Sequence, residues 1–119
     1  MIGLKRVYDK PSPDDGARFL VERLWPRGLR KADLAMDAWH KDAAPSTELR
    51  KWFSHDPDKW TEFQKRYFAE LDRNPDAWKP ILEAAHAGAV TLLYSSQDAG
   101  HNNAVALKAY LDRKLRARR

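Results

Sequence analysis

The sequence predicts an α/β fold, a compact three-layer sandwich in which a short, mainly parallel sheet is flanked by helices. Short β-forming segments alternate with helical segments along the chain, as in α/β proteins. Residues 90–94 (VTLLY) are rich in β-branched and apolar side chains on both faces, which is typical of a buried strand of a parallel sheet. A polar loop and a helical segment follow that strand directly, which completes the strand–loop–helix order.

Two further strands are predicted near the start of the chain, at residues 2–8 and 19–25. The second is apolar except at Glu22 and Arg23, as expected for an inner strand, and it stops at Pro26. The connection between the two strands is shorter than the usual parallel crossover, which leaves an antiparallel first pair open.

Start signals predict four helices. Ser46 is the predicted N-cap of the first, and Asp56 followed by Pro57 opens the second. The second helix has an apolar stripe at helical spacing, made of Trp60, Phe63, Tyr67, Phe68 and Leu71. This stripe indicates a core-facing side in preference to a base-stacking or haem-lining surface.

Asp76 is the expected cap of the third helix, which is expected to end near Gly88. The last helix is expected to begin at Asn102 or Asn103. We interpret residues 1–112 as a single α/β domain and residues 113–119 as a basic helix end or tail.

The composition excludes several classes of protein. The chain has 119 residues, a hydrophobic fraction of 43% and five tryptophans, which argues against wholesale disorder. It contains no cysteine, which excludes disulfides, thiolate metal sites and a cysteine nucleophile. No apolar run is long enough for a membrane span, and the first residues lack the apolar region of a signal peptide. We therefore expect a soluble, cytoplasmic protein with no membrane partner.

The net charge of +5 is concentrated at the C-terminal end. Residues 113–119 hold five of the 22 basic residues and none of the 17 acidic ones, so residues 1–112 have 17 of each. A neutral body with a basic end is a poor footprint for binding a nucleic-acid duplex. Nucleic acid is therefore a possible partner but not the favoured one.

The carboxyl ends of parallel strands meet at one edge of a sheet, where α/β proteins bind their ligands. Arg23 lies late in the second predicted strand and Arg27 lies in the turn after it. The two could clamp a phosphate or carboxylate, with Gly28 allowing close approach of the backbone. Lys41 could assist them from residues 39–50, a polar segment that could fold over the strand ends as a lid.

An alternative for Arg23 is a structural ion pair with a buried acid, with Glu22, Asp98 and Glu48 as the candidates.

The third strand brings further polar groups to the same edge. Ser95 and Ser96, together with Asn102 and Asn103 at the start of the last helix, could hold an anion. Asp98 and His101 are the candidates for proton transfer if the site is catalytic. Alternatively, Asp98 caps the helix or only orients His101.

Our main hypothesis is thus a site for a small anionic ligand, with reaction type and cofactor unknown. A second hypothesis is an interaction module that contacts nucleic acid or an acidic protein through the basic C-terminus, aided by basic residues elsewhere, namely Lys5, Arg6, Arg30 and Lys31. A third is metal or haem binding through His55 or His101, although the sequence has no recognisable metal-binding motif.

Several long motifs resemble a known family. They are LKRVYD at residues 4–9, ERLWPRG at residues 22–28, KDAAPSTELRKWF at residues 41–53, HDP at residues 55–57 and the segment at residues 90–104. Together they resemble the YeaO-like branch of domain-of-unknown-function family 488, over nearly the whole chain. The resemblance implies a compact α/β sandwich with helices on both sides of a short parallel sheet, and it implies no established activity.

The chain departs from that family pattern at three points. Glu22 stands where many members carry aspartate, which lengthens the reach of the side chain. Residues 95–98 (SSQD) stand where alanine-alanine-lysine-aspartate is common, so a basic side chain is missing there. Longer relatives place cysteines around the third strand and this chain has none, so thiol chemistry does not carry over.

Overall fold

The structure is a computed structural model that describes residues 1–117. It has four strands, β1 (Ile2–Arg6), β2 (Ala17–Leu20), β3 (Ala38–Trp39) and β4 (Val90–Tyr94). It has four α-helices, α1 (Thr47–Phe53), α2 (Trp60–Arg73), α3 (Pro75–Ala87) and α4 (Asn103–Ala117). All the strand pairs are parallel, so the predicted α/β sandwich with a parallel sheet is confirmed.

The strand order is β1-β4-β2-β3. The alternative of an antiparallel first pair is wrong, because β1 and β2 both pair in parallel with β4, which lies between them. The short first connection, residues 7–16, therefore joins two strands that are not neighbours. It contains one 3₁₀ turn, Pro13–Asp15, which Ser12 caps by accepting a hydrogen bond from the Asp14 amide.

The strand β2 is shorter than predicted and ends at Leu20. Beyond it, side chains from elsewhere bind the backbone carbonyls in place of a neighbouring strand: Asn103 Nδ2 donates to Val21 O, and Trp39 Nε1 donates to Glu22 O. The chain after Val21 thus turns out of the sheet and becomes available for a site. The edge strand β3 was not predicted, because two residues give no periodicity to recognise.

Alternation along β4 divides the buried side chains between the two faces of the sheet. Val90, Leu92 and Tyr94 belong to the larger core cluster, to which all four α-helices contribute. Leu93 faces a smaller cluster that is closed by side chains of the segment between β2 and β3, namely Trp25, Leu29, Leu34 and Met36. On this second face the flanking layer consists of loops and the 3₁₀ turn Lys31–Asp33.

The helix starts follow from local side chains, largely as the sequence predicts. Ser46 Oγ accepts from the Leu49 amide and caps α1, and Asp56 caps the 3₁₀ turn that leads into α2. The predicted cap at Asp76 is wrong, because α3 begins at Pro75 and Asn74 stands at the cap position. Asn102 caps α4 by accepting from the Val105 amide. Within residues 1–117 no helix has both the length and the apolar character needed to cross a membrane.

Ion pairs fix the end of the first connection. Asp15 is buried and contacts Lys5 Nζ at 2.8 Å and Arg18, which is itself buried. The hydrogen bond and charge of Lys5 lower the pKa of Asp15 to about 2. Gly16 follows with φ of 64°, in the left-handed region, and Ala17 N donates to Ala89 O at 3.0 Å. The backbone of this turn therefore lies directly against the chain that leads into β4.

Candidate functional site

A pocket of about 310 Å³ lies at the carboxyl ends of β2 and β4. Five parts of the chain line it: residues 22–27 after β2, residues 44–55 around α1, Phe63 of α2, residues 95–96 after β4, and residues 102–103 at the start of α4. Phe53 of α1 and Phe63 of α2 give it an apolar wall. Its position is the one at which open α/β sheets bind ligands.

The structure brings six of the predicted site residues together in this lining: Arg23, Arg27, Ser95, Ser96, Asn102 and Asn103. Four others lie outside it: Gly28, Lys41, Asp98 and His101. Three polar residues that the sequence analysis did not assign to the anion site also line the pocket: Glu22, Arg50 and His55.

Glu22 is the internal anion of the pocket. Its Oε1 accepts hydrogen bonds from Ser95 N at 2.7 Å and from Ser95 Oγ at 2.9 Å. The loop amide and hydroxyl that we expected to hold a ligand anion therefore hold a carboxylate of the protein itself. Burial raises the pKa of Glu22, although the bonds from Ser95 and the charges of His55 and Arg50 oppose that rise.

This raised pKa predicts that Glu22→Gln stabilises the protein at neutral pH. Below the ordinary pKa of 4.5 the carboxyl is protonated in both the folded and the unfolded state, so it does not lower the free energy of unfolding. As the pH rises, the unfolded state releases this proton first, so the native state loses stability up to its own, higher pKa. The uncharged side-chain amide of Glu22→Gln loses no stability as the pH rises, and its oxygen can still accept hydrogen bonds from Ser95.

Urea unfolding across this pH range measures the effect. The free energy of unfolding of Glu22→Gln relative to wild type is expected to increase between about pH 4 and neutral pH. Glu48→Gln, at an exposed position of α1, is the matched control and should show no such trend. A difference for Glu22→Gln that does not change with pH would contradict the assignment.

Arg23 holds one wall of the pocket in place. Its Nη2 donates to Ala44 O at 3.0 Å, its Nε donates to Pro45 O at 3.3 Å, and its Nη1 lies 3.5 Å from Asp42 Oδ1. Arg23 therefore has the structural role that we considered as the alternative to ligand binding. Its partners are backbone carbonyls and Asp42, and not the predicted Glu22, Asp98 or Glu48. The segment that we considered as a lid is thus anchored, and its Ala44 and Pro45 are buried in the pocket wall.

Arg27 and Arg50 are the available cations of the site. Both are exposed, and neither guanidinium has a hydrogen-bond or ion-pair partner among residues 1–117. Other arginines are engaged within the protein: Arg6, Arg18, Arg23, Arg30 and Arg66 all donate to carbonyls or carboxylates. Arg27 enters from the turn after β2 and Arg50 from α1, so an anion between them could be bound from two sides.

The other polar groups of the lining are largely satisfied within the protein. Ser96 Oγ accepts from Asp98 N at 3.1 Å, and Asn102 is buried and bonded to both Val105 N and Asp98 O. Asn103 uses its amide nitrogen on Val21 O. These residues shape the pocket and fix the loop after β4.

His55 reaches the pocket because the chain after α1 takes an unusual conformation. Ser54 and His55 have φ values of 47° and 58°, two consecutive left-handed residues without glycine. Neither residue type by itself predicts such a turn, so nothing in the sequence indicated that His55 lies in this pocket. The turn places an imidazole within electrostatic range of the Glu22 carboxylate.

Asp98 and His101 form a separate pair beside the pocket. His101 Nδ1 lies 3.0 Å from Asp98 Oδ2, and Asp98 Oδ1 accepts from the Gly100 and His101 amides. These contacts, led by the one from Gly100, lower the pKa of Asp98. The His101 ring meets Trp60 edge-on at 5.3 Å between centroids. The pair thus matches the alternative in which Asp98 orients His101.

The two remaining predicted residues have local partners or roles. Lys41 Nζ lies 5.0 Å from the centre of the Trp39 ring, a cation–π contact. Gly28 has φ of 81°, so glycine suits its backbone, and no heavy atom among the described residues lies within 4 Å of an added Cβ.

The basic residues of the interaction-module hypothesis mostly have partners of their own. Lys5 pairs with Asp15, and Arg30 pairs with Asp33. Near the end of α4, Arg113 lies over Phe68 and Lys114 lies over Trp78 and Tyr110. Arg118 and Arg119, also part of the predicted basic end, lie outside the described residues. In the part of the chain that the structure covers, no three histidine, aspartate or glutamate residues are grouped so as to hold a metal ion.

Fold and site together define an α/β protein with a parallel sheet and a mixed-charge, partly apolar pocket at its carboxyl edge. The chain belongs to domain-of-unknown-function family 488: the family model described as "Inactive DUF488-N3 subclade" matches residues 1–119.

Two relatives show the extent of the similarity. The chain is 44% identical over 110 residues to "Uncharacterized protein YeaO" of Escherichia coli K12, covering 92% of this chain and 96% of that protein. It is 37% identical over 111 residues to "Uncharacterized protein Rv3073c" of Mycobacterium tuberculosis H37Rv, covering 93% of each. No solved structure matches the chain significantly.

Proposed function

We propose that the protein binds a small anionic ligand, one that carries a phosphate or carboxylate, in the pocket at the carboxyl ends of β2 and β4. The anionic group lies between the guanidinium groups of Arg27 and Arg50. The observation that carries this proposal is that both arginines line one pocket from separate elements and have no partner among residues 1–117. Guanidinium groups are suited to paired hydrogen bonds with planar carboxylates and with phosphates.

The pocket is preformed, which supports binding of a small molecule. Arg23 holds the Ala44–Pro45 wall, and Arg6 donates to the carbonyls of Ser95 and Ser96, which also line the pocket. A ligand would thus meet a lining that is already ordered, which reduces the entropy lost on binding. The volume of about 310 Å³ is at the lower end of the range for small-molecule pockets.

Binding without turnover is the form of this function that we favour. The matching family model is described as an inactive subclade. In the pocket lining, Glu22 and His55 are of residue types that commonly act as general acids or bases, and Glu22 is already bonded to Ser95. Recognition of a metabolite, with no chemical step, accounts for the site more simply. The cysteine-free composition supports a cytoplasmic location for this role.

Isothermal titration with ribose 5-phosphate and inorganic phosphate as probes tests the proposal. We expect Arg27→Ala and Arg50→Ala each to weaken binding of ribose 5-phosphate by about tenfold or more, because a hydrogen bond to a charged group contributes roughly 1.5–3 kcal/mol. Arg116→Ala is the matched control. It removes the same charge about 20 Å from the pocket along α4.

Equal affinities of wild type, Arg27→Ala and Arg50→Ala for these probes would overturn the proposal. So would absence of binding by the wild-type protein. A similar loss in Arg116→Ala would point to a general effect of net charge and would equally contradict an assigned site.

A further inference from the structure

The second oxygen of Glu22 points to a property of the ligand beyond its negative charge. Oε1 takes both hydrogen bonds from Ser95, and Oε2 has no hydrogen-bond partner among residues 1–117. Every fully buried side-chain nitrogen and oxygen atom of the described residues has a partner. Oε2 is therefore not fully buried, and the pocket is the space that the Glu22 side chain lines. A carboxylate oxygen accepts hydrogen bonds only, so its complement is a donor on the ligand.

The charges of the lining restrict what kind of donor this is. Arg23, Arg27 and Arg50 line the same pocket, and all three guanidinium groups carry a positive charge. Their positive field opposes an ammonium group at Oε2. A neutral hydroxyl meets no such repulsion and supplies the donor that the carboxylate lacks.

The size and the apolar wall restrict the ligand further. The pocket of about 310 Å³ exceeds what an isolated phosphate would fill. The Phe53 and Phe63 rings, stacked at 4.3 Å between centroids, form part of the lining. An aromatic wall beside hydrogen-bonding groups suits a molecule with both C–H and hydroxyl faces, which is the surface pattern of a sugar.

We propose that the ligand is a hydroxylated anion of the sugar-phosphate or sugar-acid class, with its anionic group on Arg27 and Arg50 and a hydroxyl donating to Glu22 Oε2. This inference rests on the proposed function and specifies its ligand class. Glu22 is then the residue that selects for hydroxyl groups on the ligand. The two arginines contribute affinity for any ligand with the anionic group, whether or not it carries hydroxyl groups.

Two phosphates of similar size separate these contributions: ribose 5-phosphate, and cyclopentylmethyl phosphate, which has no hydroxyl on its ring. We expect the wild-type protein to prefer ribose 5-phosphate by about tenfold, since one hydrogen bond to a charged acceptor accounts for such a ratio. In Glu22→Gln the amide oxygen is drawn to the Ser95 amide and a donor nitrogen replaces Oε2. The preference is then expected to fall at least about threefold. Loss of the carboxylate charge changes the affinity for both anionic phosphates in the same direction, so the ratio of the two affinities is the readout.

Glu48→Gln is the matched carboxylate control and should keep the wild-type preference, because its side chain is exposed outside this pocket. Far-UV circular dichroism and a thermal melt check that Glu22→Gln is folded, and its expected stability is not below that of wild type at neutral pH. Loss of preference in a folded variant therefore reports on recognition.

The outcomes distinguish this inference from the proposed function. An unchanged preference in Glu22→Gln, with binding still dependent on Arg27, overturns the role of Glu22 and leaves the anion site in place. The same conclusion follows if wild type binds the two phosphates equally. Failure of both phosphates to bind overturns the anion site and this inference with it. Affinities that are unchanged in Arg27→Ala and Arg50→Ala have the same consequence.

Discussion

Gly16→Ala is expected to lower the free energy of unfolding by at least about 3 kcal/mol. An added Cβ would lie 2.1 Å from the carbonyl oxygen of Ala89, a backbone atom that cannot rotate away. That oxygen also accepts from Ala17 N, so relieving the clash costs a hydrogen bond at the start of β2. The φ of 64° is unfavourable for alanine in addition. Urea unfolding of the variant and of wild type measures the difference.

Two other glycines provide graded controls. Gly28 has a positive φ and open space around it, so Gly28→Ala isolates the conformational cost of about 1–2 kcal/mol. Gly88 has an extended φ of 173° and open space, so Gly88→Ala should change stability little. If Gly16→Ala destabilises no more than Gly28→Ala, the close approach to Ala89 is not the constraint described above.

Leu92→Ala is expected to destabilise the protein by about 2–5 kcal/mol. Leu92 is completely buried at the middle of the central strand, opposite Leu4 of β1 and Phe19 of β2. Its side chain belongs to the core cluster to which all four α-helices contribute. Removing three carbons there leaves a cavity that neighbours on two strands and the covering helices must collapse to fill. Chemical denaturation monitored by tryptophan fluorescence measures the loss.

Leu24→Ala is the control of identical chemistry. Leu24 is 59% exposed, so its truncation should change stability by no more than about 0.5 kcal/mol. Comparable losses in Leu92→Ala and Leu24→Ala would mean that β4 is not the centre of the packed sheet.

The parts of the fold that local signals determine could be predicted from the sequence. The apolar run of β4, the Ser46 cap of α1 and the proline start after Asp56 act through neighbours within a few residues. The end of β2 could not be predicted in this way. The two carbonyls just beyond β2 accept hydrogen bonds from Asn103 and Trp39, which are distant in sequence. Nothing in residues 21–25 therefore signals that the chain leaves the sheet.

The same distinction between local signals and tertiary contacts applies to the candidate site. Its location follows from the rule for parallel sheets, and Arg27 follows from its position after a predicted strand. Arg50 gives no signal, because a charged residue on a short helix is ordinarily a solvated one. The hydrogen bonds from Ser95 to Glu22 could not be predicted either, because they depend on which side chain the fold brings to that loop. Local sequence thus indicates where a site lies, and tertiary contacts decide which of its groups remain available to a ligand.

The position of β4 between β1 and β2 has a consequence for how the chain is made. A ribosome synthesises the two N-terminal strands first, and the strand that joins them appears roughly 70 residues after the end of β2. Until then β1 has no partner among the described strands, and β2 has only the two-residue β3. While the intervening residues are synthesised, the edges of β1 and β2 that later pair with β4 stay open, and open strand edges favour aggregation or chaperone binding. Closure of the sheet therefore depends on residues 90–94, and a chain released before they emerge has only the short β2–β3 pair.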